Sequence, residues 1–88
     1  MELKDTIEMM TSEDYKERFK AEYSQLKIRL DKLTDLNNKI EASKRSGGSV
    51  EEPAHNCPHT LLRQQQSAMS NYLRLLQIRA VIEGIALD

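Results

Sequence analysis

Apolar residues recur along the first half of the chain at Tyr15, Phe19, Tyr23, Leu26, Leu30, Leu33 and Ile40. Their steps of three, four or seven residues draw one stripe at the helical period. The pattern predicts a long helix over residues 12–45, roughly 50 Å from end to end. Thr11 suits the N-cap, with Asp14 three residues on in a capping-box-like position and Glu13 beside it to complement the positive helix end. Asn37 falls on the stripe between Leu33 and Ile40, and a polar residue at a core position fixes register. Ser46-Gly47-Gly48-Ser49 then breaks the helix and Glu51-Glu52-Pro53 prevents its resumption, giving a connection over residues 46–57. A second helix is predicted over 58–83. Pro58 suits its first turn, where the missing N–H has no partner to lose. Gly84 supplies the stop, with Ile85 as the hydrophobic partner of a Schellman end.

The second helix has too much apolar surface for one neighbour. From Tyr72 to Ile82, eight of eleven residues are apolar, whereas one packing stripe needs three or four per two turns. The first helix covers one side, and another copy of the chain is the simplest cover for the rest. Leu3, Ile7 and Met10 sit at helical spacing in the short N-terminal segment, residues 1–10, which is expected to dock on the helices or on a neighbouring chain. The expected fold is all-α: an antiparallel two-helix hairpin with a short N-terminal helix, one domain over residues 1–88, assembled into a homo-oligomer.

Size agrees with assembly. A chain of 88 residues buries only roughly 60–65% of its unfolded surface, and a single cysteine, Cys57, makes no intrachain bridge. Apolar residues are 39% and charged residues 31%, the composition of a soluble helical protein rather than a disordered or membrane one. No apolar run spans a bilayer and the N-terminus lacks the order of a signal peptide, so an intracellular protein is expected. The net charge of −1 conceals segregation. Residues 1–14 carry five carboxylates against Lys4, residues 16–45 carry nine Lys and Arg against five acids, and residues 59–82 carry Arg63, Arg74 and Arg79 with no acid. Charges facing water would give such a pattern, and so would basic helices gathered round a compact anion. A pI near 6.1 argues against long nucleic acid as partner.

Few residues suggest chemistry. There is no Trp, and the two histidines stand four apart in His55-x-Cys57-x-His59. That triplet offers soft ligands but lacks a fourth, so no metal is expected and Cys57 reads as a small buried residue before the helix. No nucleophile–base or paired-carboxylate constellation appears, so neither catalysis nor a cofactor is expected. Phe19 and Tyr72 read as core. Tyr15 and Tyr23 have Arg18, Lys20 and Lys27 about a turn away and could stack a base. Arg79 sits in the most apolar stretch, where an unpaired charge is costly. It pairs with Glu17, Glu22 or Asp31 of the first helix, or several copies converge on an anion at a symmetry axis.

Two motifs carry a resemblance: Arg18-x3-Glu22-x3-Leu26-x2-Arg29-Leu30-x-Lys32-Leu33 and Gln65-x2-Ala68-Met69-x2-Tyr72-x3-Leu76-x2-Arg79. Over residues 15–83 the pair resembles the phage helical-hairpin proteins that include the anti-CBASS and anti-Thoeris sponges. The resemblance implies a phage product acting in the host bacterial cytoplasm, assembled as a homo-oligomer, often a hexamer. It implies capture without cleavage of a cyclic di- or trinucleotide or a cyclic ADP-ribose isomer, held between protomers by aromatic stacking and by Lys and Arg on phosphate. Carried onto this sequence, Arg18, Arg29, Lys32 and Arg79 match basic positions and Tyr15 lies near the stacking position. Arg29 and Lys32, one turn apart, could share a phosphate. Tyr15 and Lys32 lie roughly 25 Å apart on one helix, so an antiparallel neighbour must bring them together. The alternative is a structural or adaptor hairpin whose apolar face takes a helix of another phage or host protein.

Overall fold

Asp14, rather than Thr11, starts the long helix. Its side chain accepts the Lys16 backbone N–H at 2.9 Å, satisfying one of the donors that a helix start leaves without partners. The Thr11 hydroxyl instead donates back to the carbonyls of Ile7 and Glu8 and closes the helix before it. The computed structural model describes residues 2–87. Its elements are a 3-10 turn, Leu3–Thr6, running directly into helix α1, Ile7–Met10, then α2, Tyr15–Arg45, and α3, His59–Glu83. All are helical, with no strand among the described residues. At 31 residues, α2 is roughly 46 Å long and sets the 50 Å long dimension of the molecule.

Contacts between α2 and α3 run in opposite senses. Tyr15 meets Glu83, Tyr23 meets Gln77, Asn37 meets Gln66 and Lys44 meets His59. Near the chain termini, Phe19, Tyr23 and Leu26 pack with Leu76, Ala80 and Ile85, flanked by Met69, Leu73 and Leu87. Ile40 is fully buried nearer the connection. Asn37, also buried, donates its amide to the Leu62 carbonyl at 3.2 Å and to Gln66 Oε1 at 2.7 Å. Both bonds cross from α2 to α3, in keeping with the register role read from its place on the stripe.

Gly47 and Gly48 take positive φ where the chain leaves α2. Pro58 then caps α3, its carbonyl accepting from the N–H groups of Leu61 and Leu62. At the far end Gly84 adopts φ +69 and the Ile85 N–H reaches back to the Ala80 carbonyl at 2.9 Å. This is the Schellman ending that the sequence predicts, and Ile85 is buried in the core. The N-terminal segment docks on α2: Thr6 is fully buried, its hydroxyl donates to the Leu3 carbonyl, and Gln25 donates to it and to Met10. No helix among the described residues is long and apolar enough to cross a membrane.

The sides of α3 differ. Leu76 and Ala80 are 1% and 3% exposed, while Val81 and Ile82 are 83% and 78% exposed. Tyr72, expected in the core with Phe19, faces outward with Leu75 and Ile78. The reason is that α3 carries two parallel seams at steps of four and three. Leu62, Gln66, Met69, Leu73, Leu76 and Ala80 face α2. Leu61, Gln65, Ala68, Tyr72, Leu75, Arg79 and Ile82 are exposed beside them. Tyr72 belongs to the second seam.

Candidate functional site

Tyr15 and Phe19 lie one turn apart on α2, and Arg79 and Glu83 one turn apart on α3. The opposed helices bring all four together. The Tyr15 hydroxyl donates to Glu83 Oε1 at 2.7 Å and accepts from Arg79 Nη2 at 2.7 Å. Arg79 Nε lies 3.2 Å from Glu83 Oε2, and its guanidinium carbon stands 5.0 Å from the centre of the Phe19 ring. The Tyr15 and Phe19 rings are tilted 57° with centres 6.3 Å apart. The hydrogen bond to Glu83 raises the Tyr15 hydroxyl above its ordinary pKa, because the phenol must keep its proton to donate. The same bond, with that from Arg79, lowers the Glu83 carboxyl.

Arg79 therefore has a carboxylate partner, but not one of those expected. Glu17, Glu22 and Asp31 make no ion pair with it; Glu83, four residues on along the same helix, does. An i,i+4 acid needs no help from the other helix to meet the guanidinium. The pairing leaves α3's outward seam with one neutralised charge rather than a bare one.

The other expected site residues lie apart from this cluster. Arg18 Nη1 donates to the Ser12 carbonyl at 2.8 Å, holding the turn before α2. Arg29 and Lys32 are exposed and make no ion pair among the described residues. They stand roughly 21 and 25 Å along the helix from Tyr15, so one chain joins Tyr15 to Arg79 but not to Arg29 or Lys32. Tyr23 offers no stacking face: it is buried and its hydroxyl accepts from Gln77 at 3.5 Å. Cys57 is exposed, not buried, because the chain is still in the connection there. His55 bonds the Cys57 carbonyl while His59 turns to Lys44, so the two histidines diverge.

A groove of about 400 Å³ lies along α2, lined there by Lys20, Tyr23, Ser24, Lys27, Ile28 and Asp31. Met9 of α1 and the tail residues Ala86 and Leu87 form its walls. Lys20 stands 3.8 Å from Glu17, and Lys27 has no ion pair among the described residues. Two ammonium groups and one carboxylate, Asp31, beside apolar side chains suit a ligand that carries both an anionic and an apolar part. Sequence reading placed these lysines only as neighbours of tyrosines. Their seven-residue spacing, two helical turns, was the available signal that they share a face. The walls from α1 and the tail had no sequence signal.

The Sequestin family model matches residues 13–82, from the turn before α2 to the last turn of α3. No curated protein matches the chain, and no solved structure does.

Proposed function

The chain belongs to the Sequestin family, and from that premise we propose that it is a phage anti-defence protein that sequesters a cyclic nucleotide immune signal. The ligand class is a cyclic di- or trinucleotide or a cyclic ADP-ribose isomer, bound without cleavage in the host bacterial cytoplasm. The observation that carries the reading is the family match, which covers both helices and all the basic positions named above. Capture needs cations and flat surfaces, and α2 provides Lys20, Lys27, Arg29 and Lys32 along one length of helix, with Tyr15 near its start.

The working unit is proposed to be a homo-oligomer of antiparallel hairpins, a hexamer by likeness to the sponges. Its support is the outward side of α3, where Tyr72, Leu75 and Ile82 of the second seam and the neighbouring Ile78 and Val81 stand exposed. An antiparallel neighbour would bring Arg29 and Lys32 of one protomer towards Tyr15 and Arg18 of the next; gathering Arg79 side chains instead needs a second contact about a symmetry axis. A phosphate reaching Arg79 would compete with Glu83 for its N–H groups.

The test is a thermal-shift and calorimetry panel of cyclic dinucleotides, cyclic trinucleotides and cyclic ADP-ribose isomers, with the ligand recovered after heating. One of them should raise the melting temperature and come back intact; ligand at a hundred times its Kd stabilises by about 2.7 kcal/mol. Light scattering of the free protein should give a multiple of 10.2 kDa. Silence across the panel would overturn the reading in favour of a hairpin adaptor whose apolar seam takes a partner helix.

A further inference from the structure

The outward seam of α3 keeps an unbroken rhythm. From Leu61 through Gln65, Ala68, Tyr72, Leu75 and Arg79 to Ile82 the steps alternate four and three, and every one of these residues is exposed. Such alternation over three heptads marks a line along which two helices interlock. Leu61, Ala68, Leu75 and Ile82 hold one core position of the heptad, d, and Gln65, Tyr72 and Arg79 hold the other, a. Packing on α2 does not account for the seam, since Leu61, Leu75 and Ile82 remain 51%, 49% and 78% exposed.

The flanks limit what can cover it. On one flank Leu62, Met69 and Leu76 turn to α2. On the other stand Gln64, Asn71 and Ile78, exposed and uncharged. Charges on the flanks select coiled-coil partners, and here none attracts an acidic or a basic helix. The one charge on the seam, Arg79, is already held by Glu83 at 3.2 Å and by the Tyr15 hydroxyl at 2.7 Å. What remains for recognition is shape: a large Tyr72 one turn from a small Ala68, a pair that fits its own reversed copy.

We propose that α3 pairs antiparallel with α3 of a second copy, with the two-fold axis at residue 70. The inference rests on the homo-oligomer reading and names one contact of that assembly. Parallel pairing sets each residue on itself. Ala68 on Ala68 leaves a gap, Tyr72 on Tyr72 crowds, and two Arg79 guanidinium groups share one layer. Antiparallel pairing sets a positions on d positions. Tyr72 then enters the space beside the partner's Ala68, twice about the axis. Gln65 covers the partner's Leu75, and Ile82 meets the partner's Pro58 where that helix starts. Arg79 falls beside the partner's Leu61, near the end of the pair, where it keeps water and its own two bonds. One heptad further along, Arg79 would instead lie on the partner's Ala68, nearer the centre, where covering a charge is costly. This contact holds the Arg79 copies apart; the approach of Arg29 and Lys32 to a neighbour's Tyr15 belongs to a different one.

Crosslinking reads the orientation. In a Cys57→Ser background, Leu61→Cys and Ile82→Cys chains, one of them labelled with nitrogen-15, are refolded together and treated with a short bismaleimide. Only unlike chains should join. The antiparallel pair puts Ile82 one turn from the partner's Leu61, whereas like residues lie roughly 27 Å apart at 61 and 36 Å apart at 82. Sedimentation reads the register. Ala68→Leu fills the space that Tyr72 enters and should weaken self-association about tenfold, and adding Tyr72→Ala should recover part of the loss. Joining of like chains would overturn the orientation, and no recovery would overturn the register. An oligomer of unchanged mass that joins neither would put the contact elsewhere and overturn both. These failures leave the homo-oligomer reading standing. A 10.2 kDa monomer at every concentration would overturn it together with the pairing, and would leave the seam to a helix of another protein.

Discussion

Where α2 begins and α3 ends, Phe19, Tyr23 and Leu26 interlock with Leu76, Ala80 and Ile85; roughly 27 Å along α2, Asn37 bonds Leu62 and Gln66 while Lys44 bonds His59. The first region is held by removal of apolar surface from water, which is strong but directionless. The second buries Ile40 but adds hydrogen bonds, each weak on net but correct at one alignment only. A slide of α3 by one turn would cost the apolar end some packing and the polar end all of its bonds. The terminal end thus supplies most of the cohesion and the connection end supplies the register.

The division is broken most directly by Leu76→Ala, the largest effect expected. Leu76 is almost fully buried at the centre of the apolar cluster, and such truncations cost about 2–5 kcal/mol. Urea unfolding should lose that much. A loss below about 1 kcal/mol would mean that the terminal end does not dominate.

Next comes Gly84→Ala. The residue holds φ +69, which an L side chain adopts at a cost of about 1–2 kcal/mol. No atom lies within 4 Å of the added methyl, so the cost is backbone strain alone and Gly84→Asn should recover part of it. Equal losses for Ala and Asn, by the same urea assay, would point to a steric cause.

Asn37→Leu should cost only about 1 kcal/mol, since two bonds are lost while an unsatisfied buried oxygen is removed. Its signature should be heterogeneity: doubled or broadened amide peaks around residues 59–66 in an otherwise folded spectrum. A single sharp set of peaks would take the register role away from Asn37.

The smallest effects are those of pH on the exposed cluster at the terminal end. Glu83 titrates below its ordinary 4.5 because Tyr15 and Arg79 hydrogen-bond its charged form. Its stabilising effect is therefore complete above that value and is lost as pH falls through the lowered one. Tyr15 runs the opposite way. Its hydroxyl is raised above 10.0 by donating to Glu83, so its effect is complete below 10 and lost as pH rises through the raised value. Glu83→Gln should flatten the acid limb of a melting-temperature profile slightly. An acid limb unchanged by that substitution would show that the cluster is energetically idle.

The helices were legible in the sequence because their signals were strong and local. The stripe from Tyr15 to Ile40, the Gly47–Gly48 break and the Gly84 stop each rest on short-range chemistry. Errors came where two local solutions competed. Thr11 and Asp14 both suit a cap, and Thr11 is taken by the end of α1. Tyr72 sits on one of two equally regular seams, and periodicity cannot tell which seam faces α2. Arg79 lies in a stretch, residues 59–82, without any acid, and its partner Glu83 stands one residue beyond that stretch and one turn on along the same helix. The polar end was hidden for a different reason. His59 stands in a motif with His55 and Cys57, and only the opposed course of the helices sets it beside Lys44.

The turn at Gly84 also makes the helix end an observer of the groove. Ile85 is pinned by its N–H bond to Ala80, and the two residues after it form a wall against α2 beside Lys20 and Lys27. A molecule seated in that groove must press on the tail, and a pressed tail opens less often. Exchange of the Ile85 amide hydrogen with solvent deuterium would then slow in proportion to occupancy, giving one backbone position that counts captured molecules without any label on the ligand.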